Sequence, residues 1–282
     1  MEQTSHWVHA IDPMLLRIHG DIGIRYYGLA YVLAFVIAFA LLSLMRWRNL
    51  VSLTLEQQSA LFSYLVFGVF LGGRIGYTLL YTFREWINHP FLILQIWHGG
   101  MSSHGGFIGV AIALVLFARK HKVGLLTLGD AAAVMAPPGL LLGRIANFIN
   151  GELWGTPSTT PWAIIFPLSA PYGTPLSHIV PRHPYQLYAA GLEGLIPLIY
   201  TSWRMFGTHR PQKAGQLAGE FLVLYAIMRI IGEQFREPDA ALIAGVSRGA
   251  FFSVILLIGG IALTRNVIAH RVYPGGDNPQ KV

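Results

Sequence analysis

The chain has 282 residues, of which 54% are apolar and only 12% are charged. A soluble globular domain carries about 25% charged residues, so the composition excludes a disordered chain and argues against a soluble enzyme. Cysteine is absent, which excludes a disulfide framework, a thiolate zinc site and a cysteine nucleophile. The formal net charge is +7, which is also found in nucleic-acid-binding proteins. The positions of the Lys and Arg residues along the chain decide what this charge indicates.

Long apolar runs follow one another along the chain and predict seven membrane-spanning helices. A helix needs about 20 apolar residues to cross the hydrocarbon core of a bilayer. The runs lie at residues 26–45, 60–83, 91–118, 125–149, 185–203, 216–235 and 250–263. A segment rich in Gly and Ser breaks the third run, and Pro137 and Pro138 are expected to break the fourth.

These runs predict an all-α polytopic membrane protein with a single integral membrane domain over residues 1–265. Residues 151–184, rich in Pro and Thr, are expected to form an extramembrane loop or small subdomain. Residues 266–282 are expected to form a C-terminal tail. Eleven of the 20 Lys and Arg residues follow the first, third, fifth and seventh runs. This bias predicts a cytoplasmic C-terminus and an outer N-terminus. Residues 151–184 then face outward, and nucleic-acid binding is not expected.

Three arginines lie inside predicted spans: Arg74, Arg144 and Arg229. Each costs at least about 2.5 kcal/mol to insert, so each should face a partner or a wet cavity. For Arg74 and Arg229, pairing with a carboxylate and a functional role are equally open. Arg229 and Glu233 are four residues apart, which suits an ion pair within one helical turn.

Arg144 belongs to a polar helix face near the outer end of the fourth run. Asn147 and Asn150 recur at intervals of three residues and share that face. A guanidinium group beside amides is suited to phosphate, because it is planar, always charged and able to bind two oxygens. The same face could instead join helices by hydrogen bonds. We favour the phosphate interpretation.

Four further polar segments lie on the same outer half of the membrane by this topology. They contain His104 in residues 98–106, Tyr27, Arg182 and Arg236. His104 could transfer protons or be structural, because histidine titrates near neutrality. Tyr27 resembles an interface anchor, and Arg182 is either a lipid-phosphate contact or a solvated charge. Their shared location predicts one site for an anionic, partly apolar ligand such as a phospholipid.

Residues 143–155 resemble the signature of the bacterial prolipoprotein diacylglyceryl transferase family. The pattern Gly-Arg-x-x-Asn-Phe-x-Asn-x-Glu-x-x-Gly is present at every fixed position. Further segments that match this family occur in its order, at residues 27–29, 72–77, 100–106, 182–188 and 235–239. The resemblance covers residues 10–265.

This resemblance implies a multi-pass enzyme of the bacterial inner membrane with seven spans and an outer N-terminus. The implied reaction transfers the sn-1,2-diacylglyceryl group of phosphatidylglycerol to the lipobox Cys thiol of a preprolipoprotein and releases glycerol 1-phosphate. The implied partners are phosphatidylglycerol, signal-peptide-bearing preprolipoproteins and membrane lipids. No metal and no organic cofactor is implied.

Matching positions imply the candidate site residues Tyr27, His104, Arg144, Asn147, Glu152, Gly155 and Arg236. Arg144 and Arg236 would bind the phosphate and the glycerol head group, because fixed cations stabilise a leaving phosphate. Asn147 and Tyr27 would orient that group. His104 is the expected base for the acceptor thiol, although oxygens of the leaving phosphate could also accept its proton.

Glu152 is expected to hold an arginine in place rather than to transfer protons. The chain also departs from the family pattern. Ala189 stands where many members have Glu, and Glu193, one helical turn later, could substitute for it. Ser103 replaces a bulkier residue, and Tyr185 replaces a small hydroxyl residue. These departures suggest altered lipid or substrate preference.

Two other functions compete with this interpretation. A permease for an anionic or phosphorylated solute would explain broken spans and buried arginines, but it predicts inverted repeats and a site at the bilayer midplane. An intramembrane protease would use Ser102 or Ser103 with His183 as base, since the adjacent Ser103 and His104 are poorly placed for it. The transferase is the favoured interpretation.

Overall fold

The computed structural model describes residues 6–19, 22–94, 100–207, 213–237 and 245–266. Within these ranges the chain is mainly helical. The helices are α1 Tyr26–Trp47, α2 Leu55–Tyr81, α3 Phe83–Asn88, α4 Ser103–His121, α5 Leu125–Asn150, α6 Tyr185–Ala189, α7 Ile196–Phe206, α8 Gln216–Glu233 and α9 Arg248–Asn266. The short strands are β1 Trp7–Val8, β2 Met14–His19, β3 Ile22–Arg25 and β4 Ile164–Ile165. The predicted tail lies outside the described residues from residue 267 onward.

Four helices of the described ranges are long and apolar enough to cross a membrane. They cover Tyr26–Trp47, Leu55–Leu79, Leu125–Asn150 and Arg248–Arg265. A mostly helical protein with several membrane-span candidates is therefore confirmed. The other three predicted spans stay predictions. The predicted break in the third run falls partly on residues 95–99, which lie outside the described part of the chain.

Two small sheets show that the all-α expectation was too narrow. β1 runs parallel to β4, with Trp7 opposite Ile164, and β2 and β3 form an antiparallel hairpin. The segment around β4 is rich in Pro and Thr, which do not favour helix. The backbone N–H and C=O groups of this segment form hydrogen bonds between short strands instead, because an unpaired buried N–H or C=O group is costly.

α5 continues without interruption through Pro137 and Pro138, so the predicted break in the fourth run was wrong. A helical proline removes one hydrogen bond to the carbonyl four residues earlier, here Ala133 and Val134. Apolar helices of membrane proteins tolerate this loss where neighbouring groups satisfy the freed carbonyls.

The described residues form two compact units: residues before 42 together with those from 132 onward, and residues 42–131. In the second unit, α2 and α4 meet through glycines. A Cβ atom on Gly109 would lie 1.9 Å from the carbonyl oxygen of Gly68, and one on Gly105 would lie 2.2 Å from that of Gly72. The sequence predicted that the Gly-rich segment is irregular, but the chain is helical from Ser103 onward. The glycines of this part serve the close contact between the two helices.

Candidate functional site

Three charged residues lie close together where α8 ends. Arg229 and Glu233 belong to the helix, and Arg236 comes three residues after its end. Nη2 of Arg229 lies 2.6 Å from Oε1 of Glu233, which confirms the ion pair predicted within this helical turn. Nη1 of Arg236 lies 3.1 Å from the same oxygen. One carboxylate therefore joins two guanidinium groups.

A π-helical segment, Ala190–Leu195, joins α6 to α7 and places a second carboxylate beside these residues. Glu193 lies within it and is fully buried. Its Oε2 accepts from Nη2 of Arg144 at 2.9 Å, and its Oε1 accepts from Nη1 of Arg229 at 2.7 Å. Next to it, Gly194 packs on the backbone of Leu141 in α5, where a Cβ atom would lie 2.5 Å from the Leu141 Cα. This contact holds Glu193 beside Arg144.

The resulting ion-pair network alternates in charge: Arg144, Glu193, Arg229, Glu233 and Arg236. The exposed fraction of its side chains runs from 0% to 17%. Among the described residues, this network holds three guanidinium groups and two carboxylates. Clustered guanidinium groups are suited to binding an anionic group such as a phosphate.

Tyr185, the first residue of α6, lies among the three arginines of the network. The distances from its ring centre to the Cζ atoms of Arg144, Arg229 and Arg236 are 6.0, 6.0 and 5.8 Å. Its hydroxyl donates to Oε1 of Glu193 at 3.0 Å and accepts from Nη1 of Arg229. The sequence did not assign Tyr185 to the site.

The amides predicted beside Arg144 point to a carboxylate. Nδ2 of Asn147 donates to Oε1 of Glu152 at 2.8 Å, and Nδ2 of Asn150 donates to the same atom at 3.3 Å. The donors that the structure describes for this carboxylate are therefore amides, whereas an arginine was expected. Gly151, with a φ of +66°, ends α5 and turns the chain so that Glu152 faces back to both amides.

Gly155 lies beside the backbone of Arg236. The two residues form an antiparallel bridge, and the Gly155 N–H donates to the carbonyl of His183 at 2.9 Å. A Cβ atom at position 155 would lie 2.5 Å from the carbonyl oxygen of Phe235 and 2.7 Å from that of His183. The absence of a side chain therefore lets three backbone segments meet where Arg236 leaves α8.

His183 also contacts aromatic residues of the segment preceding and following it. Its Nδ1 lies 3.2 Å from the hydroxyl of Tyr188, which accepts from Nε1 of Trp162 at 2.6 Å. Burial lowers the pKa of His183 below the ordinary histidine value, so the ring is neutral at pH 7. No feature of the sequence pointed to Trp162 or Tyr188 as its neighbours.

Tyr27 lies in the first turn of α1, where its ring centre is 5.3 Å from that of Tyr31. In the other unit, the backbone of His104 lies in the first turn of α4, next to Ser103. The N-cap of this helix is Ser102, whose Oγ accepts from the Gly105 N–H at 3.2 Å. The described residues contain no group of three or more His, Asp and Glu that could hold a metal ion.

Arg74 contacts backbone carbonyls of its own unit. Its Nε donates to the carbonyl of Ile93 at 2.9 Å, its Nη1 to that of Gly100 at 3.1 Å, and its Nη2 to that of Leu92. These contacts fasten the chain on both sides of residues 95–99. These carbonyl contacts favour a structural role for Arg74.

Comparison with known proteins agrees with the signature in residues 143–155. The family model described as prolipoprotein diacylglyceryl transferase matches residues 13–265. The phosphatidylglycerol–prolipoprotein diacylglyceryl transferase of Idiomarina loihiensis is 43% identical over 280 residues, which cover 98% of this chain and 100% of the relative. The proteins of the same name from Oleidesulfovibrio alaskensis and Bordetella bronchiseptica are 43% and 41% identical, and the alignments cover 90% of this chain and 92% and 94% of theirs. This chain therefore belongs to the prolipoprotein diacylglyceryl transferase family.

Proposed function

We propose that this protein transfers the diacylglyceryl group of phosphatidylglycerol to the Cys thiol in the lipobox of a preprolipoprotein. Relatives that align over nearly the whole chain carry the name of this activity. The observation that carries the proposal is the ion-pair network, which is buried and brings three arginines together. The phosphodiester of phosphatidylglycerol is an anion of the kind that guanidinium groups bind.

The proposed reaction is a displacement at carbon. The thiolate sulfur attacks the glycerol carbon that bears the phosphate, a C–S bond forms, and the C–O bond to the phosphate breaks with its electron pair on oxygen. The products are the thioether and glycerol 1-phosphate. Because negative charge grows on the leaving phosphate, Arg144 and Arg236 lower the barrier by binding its oxygens. The chain has no cysteine, so no thioether can form on the enzyme, which favours direct transfer to the acceptor thiol.

The thiol must lose its proton before it attacks, since the thiolate is the nucleophile. We assign this step to His104, from the chemistry of imidazole and its place in the family pattern. Asn147 and Tyr27 orient the head group. Glu152 acts through Asn147, whose amide it holds at 2.8 Å.

Gly155 completes the proposed binding residues through Arg236, whose backbone it pairs with. No organic cofactor or metal enters the reaction that we propose. No observation favours the permease alternative, and the comparisons do not support it.

The proposed topology is a multi-pass protein of the bacterial inner membrane with one catalytic domain over residues 1–265. It has seven spans, of which the third is broken, an outer N-terminus and a cytoplasmic tail. The positive-inside bias of the sequence supports this orientation. Residues 151–184 then form an outward-facing loop or subdomain.

The test combines purified protein, phosphatidylglycerol and a peptide with a lipobox Cys in detergent. Wild type should increase the peptide mass by one diacylglyceryl group and release an equal amount of glycerol phosphate. Arg144→Ala should lose both. The matched control is Arg204→Ala, which breaks an ion pair of 2.7 Å with Glu220 that is similarly shielded from solvent but outside the network. It should keep its activity per folded molecule. Absence of both products with wild type would contradict the proposed function.

A further inference from the structure

Tyr185 contacts more arginines of the ion-pair network than either carboxylate does. Glu193 pairs with Arg144 and Arg229, and Glu233 pairs with Arg229 and Arg236. The ring of Tyr185 lies within 6.0 Å of all three guanidinium carbons. Arg144 and Arg236, at the two ends of the network, therefore both lie beside this ring.

The chemistry of a buried tyrosine suits this position. Three guanidinium groups repel one another, and the negative face of an aromatic ring attracts each of them within about 6 Å. The ring adds no negative charge to the network, whereas a carboxylate in the same place would add one and compete with an anionic ligand for the arginines.

Packing fixes the ring in this position. Tyr185 is fully buried, and its Cε2 would lie 3.5 Å from a Cβ atom on Gly232 of α8. The hydroxyl is held at its far end by Glu193 and Arg229. Ala189, one turn later on the same face of α6, is also buried and small. The ring is therefore buried, and its hydroxyl is fixed by two hydrogen bonds.

We propose that Tyr185 is a positioning residue that sets the spacing of Arg144 and Arg236 and so determines how well they bind a lipid phosphate. The inference rests on the proposed function for the identity of the lipid. It assigns the main effect to the aromatic ring and a minor one to the hydroxyl. Tyr185 acts through the arginines and does not touch the reacting atoms.

The test separates the KM values of the two substrates in three variants. Tyr185→Leu removes the ring and should raise the KM for phosphatidylglycerol by about tenfold or more, with the KM for the lipobox peptide changed less than about twofold. Tyr185→Phe keeps the ring and should stay within about threefold of wild type for both substrates. The control Tyr200→Leu removes a tyrosine that donates to Glu220 at 3.1 Å, outside the network, and should leave both KM values unchanged.

Two results would overturn the inference: an unchanged lipid KM in Tyr185→Leu, or an equally large increase in Tyr185→Phe. The second result decides the question even if the leucine variant does not fold. A purely structural role would lower the melting temperature and the folded yield without separating the two KM values.

Binding of short-chain phosphatidylglycerol to the same variants, with phosphatidylcholine as the zwitterionic comparison, keeps this inference separate from the proposed function. If wild type binds the anionic lipid but transfers nothing, the proposed function fails. The inference then depends on whether Tyr185→Leu weakens this binding about tenfold while Tyr185→Phe does not. Equal binding by all variants would refute the positioning role.

Discussion

Gly155 shows how a residue without a side chain can position a charged one. The substitution Gly155→Ala would place a Cβ atom 2.5 Å from the carbonyl oxygen of Phe235, the residue before Arg236. Because backbone atoms must move to make room, we expect Arg236 to shift and transfer activity to fall by at least about tenfold. The assay is peptide lipidation. A control is Gly259→Ala in α9, where no atom lies within 4 Å of the new Cβ, and activity should be retained.

Glu193 is the carboxylate on which two arginines of the network depend. The substitution Glu193→Gln removes the negative charge that pairs with Arg144 and Arg229. Breaking a buried ion pair lowers the free energy of unfolding by about 3–5 kcal/mol. We expect a marked fall in the melting temperature of the purified protein. The comparison is Asp12→Asn, which breaks a 2.8 Å ion pair with Arg17 whose side chains are 50% and 60% exposed. That change should lower the melting temperature much less, because exposed ion pairs are screened by solvent. Equal effects would show that the network does not stabilise the fold.

His183 makes stability depend on pH. Burial lowers its pKa in the folded protein below the unfolded value near 6.5, so the unfolded chain binds the proton more readily. Stability should therefore decrease as the pH falls below that value. We expect the melting temperature to drop as the pH falls from about 7 to below the unfolded value, and His183→Gln to reduce this drop. An unchanged slope in His183→Gln would contradict the assignment.

At the scale of single residues, the sequence indicated which side chains are chemically important better than it indicated which residues they contact. The interval of four between Arg229 and Glu233 was enough to predict their ion pair, because both lie in one regular helix. The link from Arg144 to Glu193 could not be predicted, since it joins residues 49 positions apart. Tyr185 stood out only as a departure from the family pattern. Its place among three arginines could not be predicted, because a tyrosine near a span end is ordinarily an interface anchor.

At the scale of elements, the contact of α2 with α4 depends on glycine. Gly109→Ala would place a Cβ atom 1.9 Å from the carbonyl oxygen of Gly68, and overpacking of this kind typically costs about 1–3 kcal/mol. We expect a lower melting temperature and a lower yield of folded protein. The control is Gly106→Ala on the same helix, where the nearest atom to the new Cβ is 3.9 Å away, so stability should be retained. If both variants are equally stable, close contact of the helices is not required.

The regular helices were predictable from apolar runs, and the exceptions have physical reasons. The two prolines of α5 signal a break in water-soluble proteins, but the helix passes through them because an apolar environment favours internal hydrogen bonds. The π-helical segment left no mark in the apolar pattern. Residues eight apart on an α-helix differ by about 80° in direction. The wider π turn reduces this rotation between Tyr185 and Glu193, which lets them meet.

For the whole molecule, the absence of cysteine allows a direct test of membrane orientation. We expect a single Cys in Tyr172→Cys, at a fully exposed position of the outer segment, to react with a membrane-impermeant maleimide in intact cells. Arg119→Cys, in an exposed basic segment, should react only after the membrane is opened, because basic segments are retained in the cytoplasm. The readout is the mass shift of the protein. The reverse pattern would invert the proposed topology.

The whole-molecule prediction was most secure where it depended on composition and motif. Low charge and long apolar runs predicted a helical membrane protein, and the pattern in residues 143–155 predicted the family that the comparisons show. The small sheets were not predicted, because strands of two residues, such as β1 and β4, are too short to give a periodic signal. Their pairing is set by the fold around them.

The glycine contact between α2 and α4 also bears on how the protein can be purified. Where two helix backbones touch, the alkyl tail of a detergent finds no gap to enter, so this pair should survive extraction in a wide range of detergents. α1 presents the opposite situation, since Val32 and Val36 are 60% and 58% exposed. Faces of this kind need a surrounding layer of hydrocarbon, and the length of the detergent tail will determine how well they are covered.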